Sequence, residues 1–295
     1  MTAMAQAGGA AFAFWRMLLI VFSPHQNLRY FRESLAVQWR NRGLAMEMVR
    51  RDLRGQFAGQ FFGAFWIFGH PIIQFCVYIF IFAVVFKTRI DRSIDLPRDY
   101  TTYILVGLVP WLFIQQSLVR TSTSLVAQAN LVKQVVFPID VLPFCAVLIS
   151  LVPLLVGLAV IAVYTLLTQG MLPWTFVLLP LVVALSISLM TGIGFLLATA
   201  TPFFRDLKDI IQVATIVGVY VIPAFYLPQW VPDKLRFLLY LNPFSYVIWV
   251  YQDTLYFGRV AHPWSWLVFA VGSIAVLTLG YRAFRAVRIF IADVL

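Results

Sequence analysis

Charged residues are scarce in this sequence. Asp, Glu, Lys and Arg together make up 12% of its 295 residues, while 62% of the residues are hydrophobic. Soluble domains carry about a quarter charged residues, so the composition excludes an ordinary soluble protein. Long apolar runs without charge satisfy their backbone hydrogen bonds in lipid as helices. The sequence therefore predicts an all-α integral membrane protein.

Common catalytic and metal-binding motifs are missing as well. The sequence contains no G-x-x-x-x-G-K-[ST], no H-E-x-x-H, no G-x-S-x-G and no acidic pair of the D-D-x-x-D kind. Its three histidines are far apart, and both cysteines, Cys76 and Cys145, lie inside apolar runs, which argues against a disulfide framework or a metal site. We predict that the chain is not an enzyme, has no catalytic residues and holds no cofactor or metal, so that any energy comes from another protein.

Six runs of the chain contain no Asp, Glu, Lys or Arg, and each is close to the roughly 20 residues that cross a bilayer. They cover residues 64–86, 101–119, 141–167, 174–200, 210–226 and 263–281. We predict one transmembrane helix for each run. Ion-coupled carriers usually place ionisable groups inside the membrane, so their absence disfavours a secondary transporter. His70 is the one candidate, and beside Pro71 it is more simply a neutral, hydrogen-bonded histidine near a proline kink.

Basic residues are distributed unevenly between the two sides of such a bundle. The net charge is +10, and with both termini inside the cell, 15 of the 22 Lys and Arg residues face the cytoplasm and 7 face outward. Basic segments favour the cytoplasmic side of a membrane and its anionic lipids. We therefore predict a multi-pass protein of the cytoplasmic (inner) membrane, with both termini in the cytoplasm and lipid rather than nucleic acid as the partner of its basic residues.

The stretch that precedes the first run is amphipathic at the helical period. Its apolar side comprises Met46, Val49, Leu53 and Phe57, and its polar side comprises Glu47, Arg50, Arg51 and Arg54. A basic helix of this kind either lies in the headgroup layer as an anchor or presents charge to a cytoplasmic partner. We divide the chain into a cytoplasmic lead at 1–43, an amphipathic interface helix at 44–62 and a six-helix transmembrane domain at 63–295.

The connection between the fifth and sixth runs, from Leu227 to Pro263, is more apolar than an ordinary loop. It contains two helix-like segments that are too short to cross a bilayer, and Asn242 and Pro243 supply an N-cap and a proline at the first helical position between them. We predict a helical hairpin that re-enters the bilayer from outside, which requires packing against protein or a cavity. The alternative is a pair of helices lying flat at the interface.

The connection after the second run is short and is closed by Pro138 and Pro143, which predicts a compact cytoplasmic elbow. From here the motifs resemble one family, the membrane subunits of ABC transporters that export polysaccharides such as O-antigen, capsule and teichoic acid. The resemblance covers about Leu44 to Leu295. Matching positions are Arg51, Asp52, Gly63, Trp66, Pro71, Gly107, Pro110, Trp111, Asn130, Leu131, Lys133, Phe137, Pro138, Phe204, Arg205, Asp206, Pro223, Asn242 and Pro243. Departures from the family pattern are Gln56, Phe57, His70 and Gln252.

This resemblance implies a conduit for lipid-linked polysaccharide. Two copies of the chain would form a pore, and two separate ATPase subunits, which bind ATP and Mg, would dock beneath it. The expected docking residues are Arg50, Arg51, Asp52, Arg54, Asn130, Lys133, Val136 and Phe137. The alternative is a related ABC exporter of lipids or drugs, and an ATPase gene adjacent among glycosyltransferase genes would favour polysaccharide.

A wide wall for a sugar chain requires flat apolar faces and hydroxyl partners without fixed charge. Tyr and Trp side chains provide both. Candidates for the outer half of the channel are Tyr78, Tyr100, Tyr103, Trp111, Tyr220, Tyr226 and Trp230. The alternative for each of them is the ordinary aromatic belt at a membrane interface.

Overall fold

The computed structural model describes residues 24–85, 97–132 and 137–294, and within them helices account for most of the chain. The α-helices are α1 (Pro24–Arg40), α2 (Arg42–Gln56), α3 (Trp66–Ile79), α4 (Tyr100–Thr123), α5 (Ala129–Val132), α6 (Val141–Gln169), α7 (Leu179–Ala200), α8 (Leu207–Gly218), α9 (Asp233–Leu241), α10 (Pro243–Gln252) and α11 (Pro263–Val294). Tighter or wider turns extend several of them: 3-10 turns at Gly63–Phe65, Val126–Gln128, Trp174–Leu178 and Val219–Val221, and π turns at Phe80–Val85 and Asp253–Phe257.

Five segments of the described part are long and apolar enough to cross a membrane. They are Gly63–Val85, Tyr100–Thr123, Val141–Gln169, Trp174–Ala200 and Pro263–Arg288, which agree with five of the six predicted spans. Most of the predicted span at 210–226 lies in α8 and the 3-10 turn after it, which are 12 and 3 residues long and end at Val221. Together they reach about 24 Å. Because the apolar layer is about 30 Å thick, this segment alone falls short of a span, and six spans stay a prediction.

Helix α4 is the centre of the fold. Most of its residues are buried, and it packs against α6, α7, α8 and α10. At Gly107, a Cβ atom would lie 2.7 Å from the Cα atom of Ala224, so the chain that follows α8 lies directly on this helix. Apolar burial on all sides explains why α4 shows little difference between its faces in the sequence.

Helices α7 and α11 approach each other closely at two glycines. A Cβ atom at Gly280 would lie 2.1 Å from the carbonyl oxygen of Gly192, and a Cβ atom at Gly192 would lie 2.5 Å from the backbone nitrogen of Leu277. Only glycine at both positions lets the two backbones meet. Small residues at a helix crossing increase van der Waals contact, which drives helix association in a membrane.

The two N-terminal helices pack against the spans. Helix α1 lies along α11, where Glu33 pairs with Arg285 and the guanidinium of Arg282 lies 5.4 Å from the ring centroid of Tyr30. Helix α2 packs against α6.

The buried side of α2 differs from the predicted one. Its buried residues are Ala45, Met48 and Val49, whereas Met46 is 50% exposed. Of the predicted apolar side, Val49 is buried and Leu53 packs against the same cluster, so the difference is at Met46. The α-helix ends at Gln56. Its placement at a membrane interface stays a prediction.

The connection between α8 and α11 forms a helical hairpin from α9 and α10. Asn242 caps α10 as predicted, because its side-chain oxygen accepts a hydrogen bond of 3.0 Å from the backbone nitrogen of Phe244, and Pro243 begins the helix. Gln252 Nε2 donates to the carbonyl of Pro223 at 2.7 Å and ties α10 to the chain after α8. Whether the hairpin enters the bilayer stays a prediction.

Candidate functional site

The described residues enclose a chamber of about 710 Å³. It lies between the end of α2 and the helices α3, α4, α6 and α8, so five separate parts of the sequence contribute to its wall. The lining residues are Leu53, Gln56, Phe57, Trp66, Ile67, His70, Pro71, Gln74, Leu112, Gln115, Gln116, Val119, Arg120, Ile149, Val152, Pro153, Gln212 and Ile216.

Glutamine is the prominent polar residue of this chamber. Five glutamines from four helices line it, and Arg120 is the one arginine or lysine among the described lining residues. The guanidinium of Arg120 donates to the amide oxygen of Gln56 from both terminal nitrogens, at 3.0 and 3.2 Å, when that oxygen is turned toward it. Gln74 Nε2 donates to the hydroxyl of Tyr78 at 3.2 Å.

The chemistry of this wall suits a neutral, hydroxyl-rich ligand. Each glutamine offers two donors and an acceptor without a net charge, and the described lining residues include no carboxylate. Because unpaired polar groups are costly at membrane depth, amides that face a cavity indicate water or a polar ligand inside it. His70 also faces the chamber, and no hydrogen bond to its ring is found among the described residues. The hydrogen-bonded histidine of the sequence analysis stays a prediction.

None of the seven predicted channel aromatics lines the chamber directly. Tyr103 and Trp111 are buried inside the chain, where the Tyr103 hydroxyl donates to the carbonyls of Pro223 and Tyr226, each at 3.2 Å. The Trp111 ring packs 5.9 Å from Phe244. These two residues fasten the hairpin to α4.

The other predicted aromatics are more accessible. The Tyr100 hydroxyl donates to the carbonyl of Phe225, and the Tyr226 hydroxyl donates to the carbonyl of Tyr220 at 2.9 Å. Tyr220 is 69% exposed and Trp230 is 45% exposed. Tyr78 is half-buried below them. A lining role stays a prediction for all seven residues, and the exposed rings are the ones free to meet a ligand within a single copy of the chain.

Two of the predicted docking residues of α2, Arg51 and Asp52, contact the turn that leads into the predicted elbow. Arg51 Nη2 donates to the side-chain oxygen of Gln128 at 3.4 Å, and Gln128 Nε2 donates to Asp52 at 3.3 Å. Arg51 also pairs with Asp52 at 3.2 Å. Gln128 lies at the start of the elbow, directly before α5. We name this combined face, α2 with the elbow from Val126 to Val132, the docking surface.

The remaining docking candidates differ in accessibility. Arg50, Arg54 and Asn130 are exposed, as an unpaired docking residue must be. Phe137 is half-buried against the apolar cluster of α2, α6 and α11, so part of its side chain serves the fold. Lys133 and Val136 lie outside the described residues.

Sequence reasoning missed the glutamines and Gln128. The signal for the first was present, because Gln74, Gln115 and Gln212 interrupt apolar runs in which a polar side chain is costly. No sequence signal marks Gln128, because its role depends on hydrogen bonds to Arg51 and Asp52, which are distant in the sequence.

The fold and the chamber define a class of protein, a multi-pass helical membrane protein with a polar internal wall. The chain belongs to the ABC-2 type transporter family, whose model matches residues 44–256. It is similar to an O-antigen export system permease protein RfbA of Klebsiella pneumoniae, with 25% identity over 255 residues, covering 85% of this chain and 95% of the relative. A protein of the same name from Myxococcus xanthus is 26% identical over 250 residues, covering 84% and 93%.

Proposed function

We propose that the chain is the membrane subunit of an ATP-driven exporter that moves lipid-linked polysaccharide across the cytoplasmic membrane. The chamber carries this proposal, because amide side chains without fixed negative charge can exchange hydrogen bonds with successive sugar hydroxyls. The relatives named O-antigen export permeases support the same cargo class. In this scheme the chain is a transport subunit and performs no chemistry on its cargo.

Energy comes from a separate ATPase subunit that binds ATP and Mg. The sequence has no P-loop lysine motif, which supports a division of labour between two chains. The docking surface is the proposed contact, since Arg51, Asp52 and Gln128 already hold α2 and the elbow together. A movement of the ATPase would therefore move α2 and the elbow together. Gln56, at the end of α2, lines the chamber and so connects the docking surface to it.

A second copy of the chain completes the pore. Helix α3 belongs to the least buried of the five candidate spans, and its Phe68, Ile73 and Val77 are exposed. Ile216 of α8 is 54% exposed and also lines the chamber, so the chamber is continuous with this apolar face. A large exposed apolar face indicates contact with lipid or protein, and a twofold-related copy would convert two chambers into one pathway. The docking surface and both termini then lie in the cytoplasm.

The assembly is tested by co-expression with a candidate ATPase subunit of the same exporter. We expect equal amounts of the two chains after purification, and transfer of lipid-linked polysaccharide in proteoliposomes only when both chains and ATP are present. Val126→Asp should abolish co-purification, because Val126 is 46% exposed on the docking surface and a buried unpaired charge is costly.

The matched control for that variant is Leu28→Asp on α1, where the leucine is 57% exposed and distant in sequence from the docking surface. It should leave the ATPase bound. ATP hydrolysis or cargo transfer by this chain alone would contradict the proposed function, and so would retention of the ATPase by Val126→Asp.

A further inference from the structure

A second pocket lies at the end of the bundle opposite to the docking surface. It has a volume of about 410 Å³ and shares no lining residue with the chamber. The hairpin of α9 and α10, the loop before α11 and the first turns of α4 form its wall. The lining residues are Tyr103, Leu227, Pro228, Gln229, Arg236, Tyr240, Trp249, Gln252, Phe257, Arg259 and His262.

One side of this pocket is an aromatic surface. The rings of Trp249 and His262 are stacked, with centroids 5.6 Å apart and an angle of 13° between their planes. Tyr240 lies 5.2 Å from Trp249 and is itself 53% exposed. Trp249 is 2% exposed and supports the ring of Tyr240 from behind. The exposed face of Tyr240 can pack against the apolar face of a sugar ring while its hydroxyl hydrogen-bonds at the edge.

The other side of the pocket is basic. Arg236 and Arg259 line it, and the described lining residues include no carboxylate. Arg236 is held by Asp233 at 2.9 Å and by the carbonyl of Pro228 at 3.2 Å. Arg259 is exposed, and within the described chain no ion pair or hydrogen bond engages its guanidinium. Its charge is therefore available to a ligand.

His262 is fixed in position by a buried carboxylate. Asp253 has no exposed surface, and its oxygens accept from the backbone nitrogen of His262 at 2.9 Å and from Trp266 Nε1 at 3.0 Å. The ring Nδ1 of His262 lies 2.8 Å from the second oxygen of Asp253. This contact leaves Nε2 as the ring nitrogen that can address the pocket. Trp249 adds an indole nitrogen that is buried and has no partner in the described part of the chain.

We propose that this pocket binds a phosphorylated sugar, with the ring against the exposed Tyr240 and the phosphate against Arg259. A guanidinium binds two phosphate oxygens at once, which fits the exposed Arg259. A neutral sugar would leave Arg259 without a partner, and free phosphate would leave the ring of Tyr240 unused. Binding of a phosphorylated sugar does not depend on the proposed export function. The assignment of that ligand to the exported glycan or to its lipid end does rest on the proposed function.

The test uses the full chain in phosphatidylcholine nanodiscs without the ATPase, with glucose 1-phosphate as the probe and calorimetry as the readout. We expect saturable binding, with glucose and inorganic phosphate each at least about tenfold weaker. Arg259→Gln should weaken binding about tenfold, the size of one charge-assisted contact. Tyr240→Leu should weaken it several-fold. Lys234→Gln is the matched control, since this lysine lies on the same hairpin outside the pocket and should leave the Kd unchanged.

Equal affinity for inorganic phosphate and glucose 1-phosphate would overturn the proposal, as would binding that Arg259→Gln does not change. Displacement of the probe by polyprenyl phosphoglucose assigns the pocket to the lipid end of the cargo. Displacement by a soluble phosphodiester-linked oligosaccharide assigns it to the glycan. Displacement by neither would overturn the assignment of the pocket to the cargo. Because no ATPase is present, loss of binding is distinguishable from failure of export.

Discussion

At the scale of single residues, the main feature is the set of amides inside the membrane bundle. Gln115 and Gln116 follow each other on α4, and both line the chamber together with Val119 one turn later. A helix that is buried nearly all round has no reason to retain two adjacent glutamines for packing. Their position at a cavity indicates a role in contacting what passes through it.

Removal of one amide should slow export without loss of assembly. We expect Gln116→Leu or Gln212→Leu to reduce the rate of ATP-dependent polysaccharide transfer by several-fold to about tenfold, because each removes hydrogen bonds of about 1 kcal/mol from the wall. The readout is transfer in proteoliposomes, compared with the amount of bound ATPase. Gln169→Leu is the control, since this glutamine ends α6 outside the chamber and should leave transfer unchanged. Equal effects at all three positions would show that the chamber has no special role.

At the scale of elements, the contact of α7 with α11 depends on two glycines. The carbonyl of Gly192 occupies the space where a side chain at Gly280 would begin. Gly272 lies on the same helix, and a Cβ atom there would have no neighbour within 4 Å. Gly280 and Gly272 therefore form a matched pair for a test of helix packing.

Gly280→Ala should destabilise the protein, because the added methyl group forces two backbones apart. Overpacking of this kind costs about 1–3 kcal/mol, and a backbone neighbour cannot move aside as a side chain can. We expect a lower Tm and a smaller folded fraction in detergent, measured by fluorescence-detected size exclusion after heating. Gly272→Ala should leave the Tm unchanged or raise it slightly. A Gly280→Ala protein as stable as the parent would contradict the close contact of α7 and α11.

The N-terminal elements show how local pattern and packing can disagree. The sequence predicts Met46 on the apolar side of its helix, while the structure buries Met48 and Ala45 against α6. A side that includes Met46 and a side that includes Ala45 and Met48 are both compatible with the helical period. The neighbouring helix decides which side is covered.

At the scale of the whole molecule, the proposed function requires one orientation of the bundle in the membrane, with the docking surface in the cytoplasm. Lys234 on the hairpin and Arg285 on α11 belong to opposite sides in the proposed topology. Both residues are exposed, so each can carry a cysteine probe without disturbing the core.

We expect Lys234→Cys, in a background with Cys76→Ala and Cys145→Ala, to react with a membrane-impermeant thiol reagent in intact cells. Cysteine at residue 89 of the first outer connection should react in the same way. Arg285→Cys should react only after the cells are opened, because positive residues near span ends favour the cytoplasm. Labelling of Arg285→Cys in intact cells would reverse the proposed orientation and, with it, the side on which the ATPase docks.

The sequence by itself determined the class of the protein and most of its helices. Low charge and long apolar runs require transmembrane helices whatever their arrangement, and five of the predicted runs agree with long helices of the structure. The Asn242 cap could also be predicted from the sequence, because its partner, the backbone nitrogen of Phe244, is only two residues away. The motifs that resemble polysaccharide exporters pointed to the family that the comparison then established.

Only the tertiary structure decided which polar residues act together. Gln56, Gln74, Gln116 and Gln212 come from four helices, and their convergence on one chamber depends on the rotation and crossing of each helix. Hydrophobic period leaves that rotation undetermined in spans that are apolar on every side. The length of α8 was decided in the same way: the apolar run continues to residue 226, but Tyr103 and Gln252 bind the carbonyls that follow Ile222 and turn the chain into the hairpin.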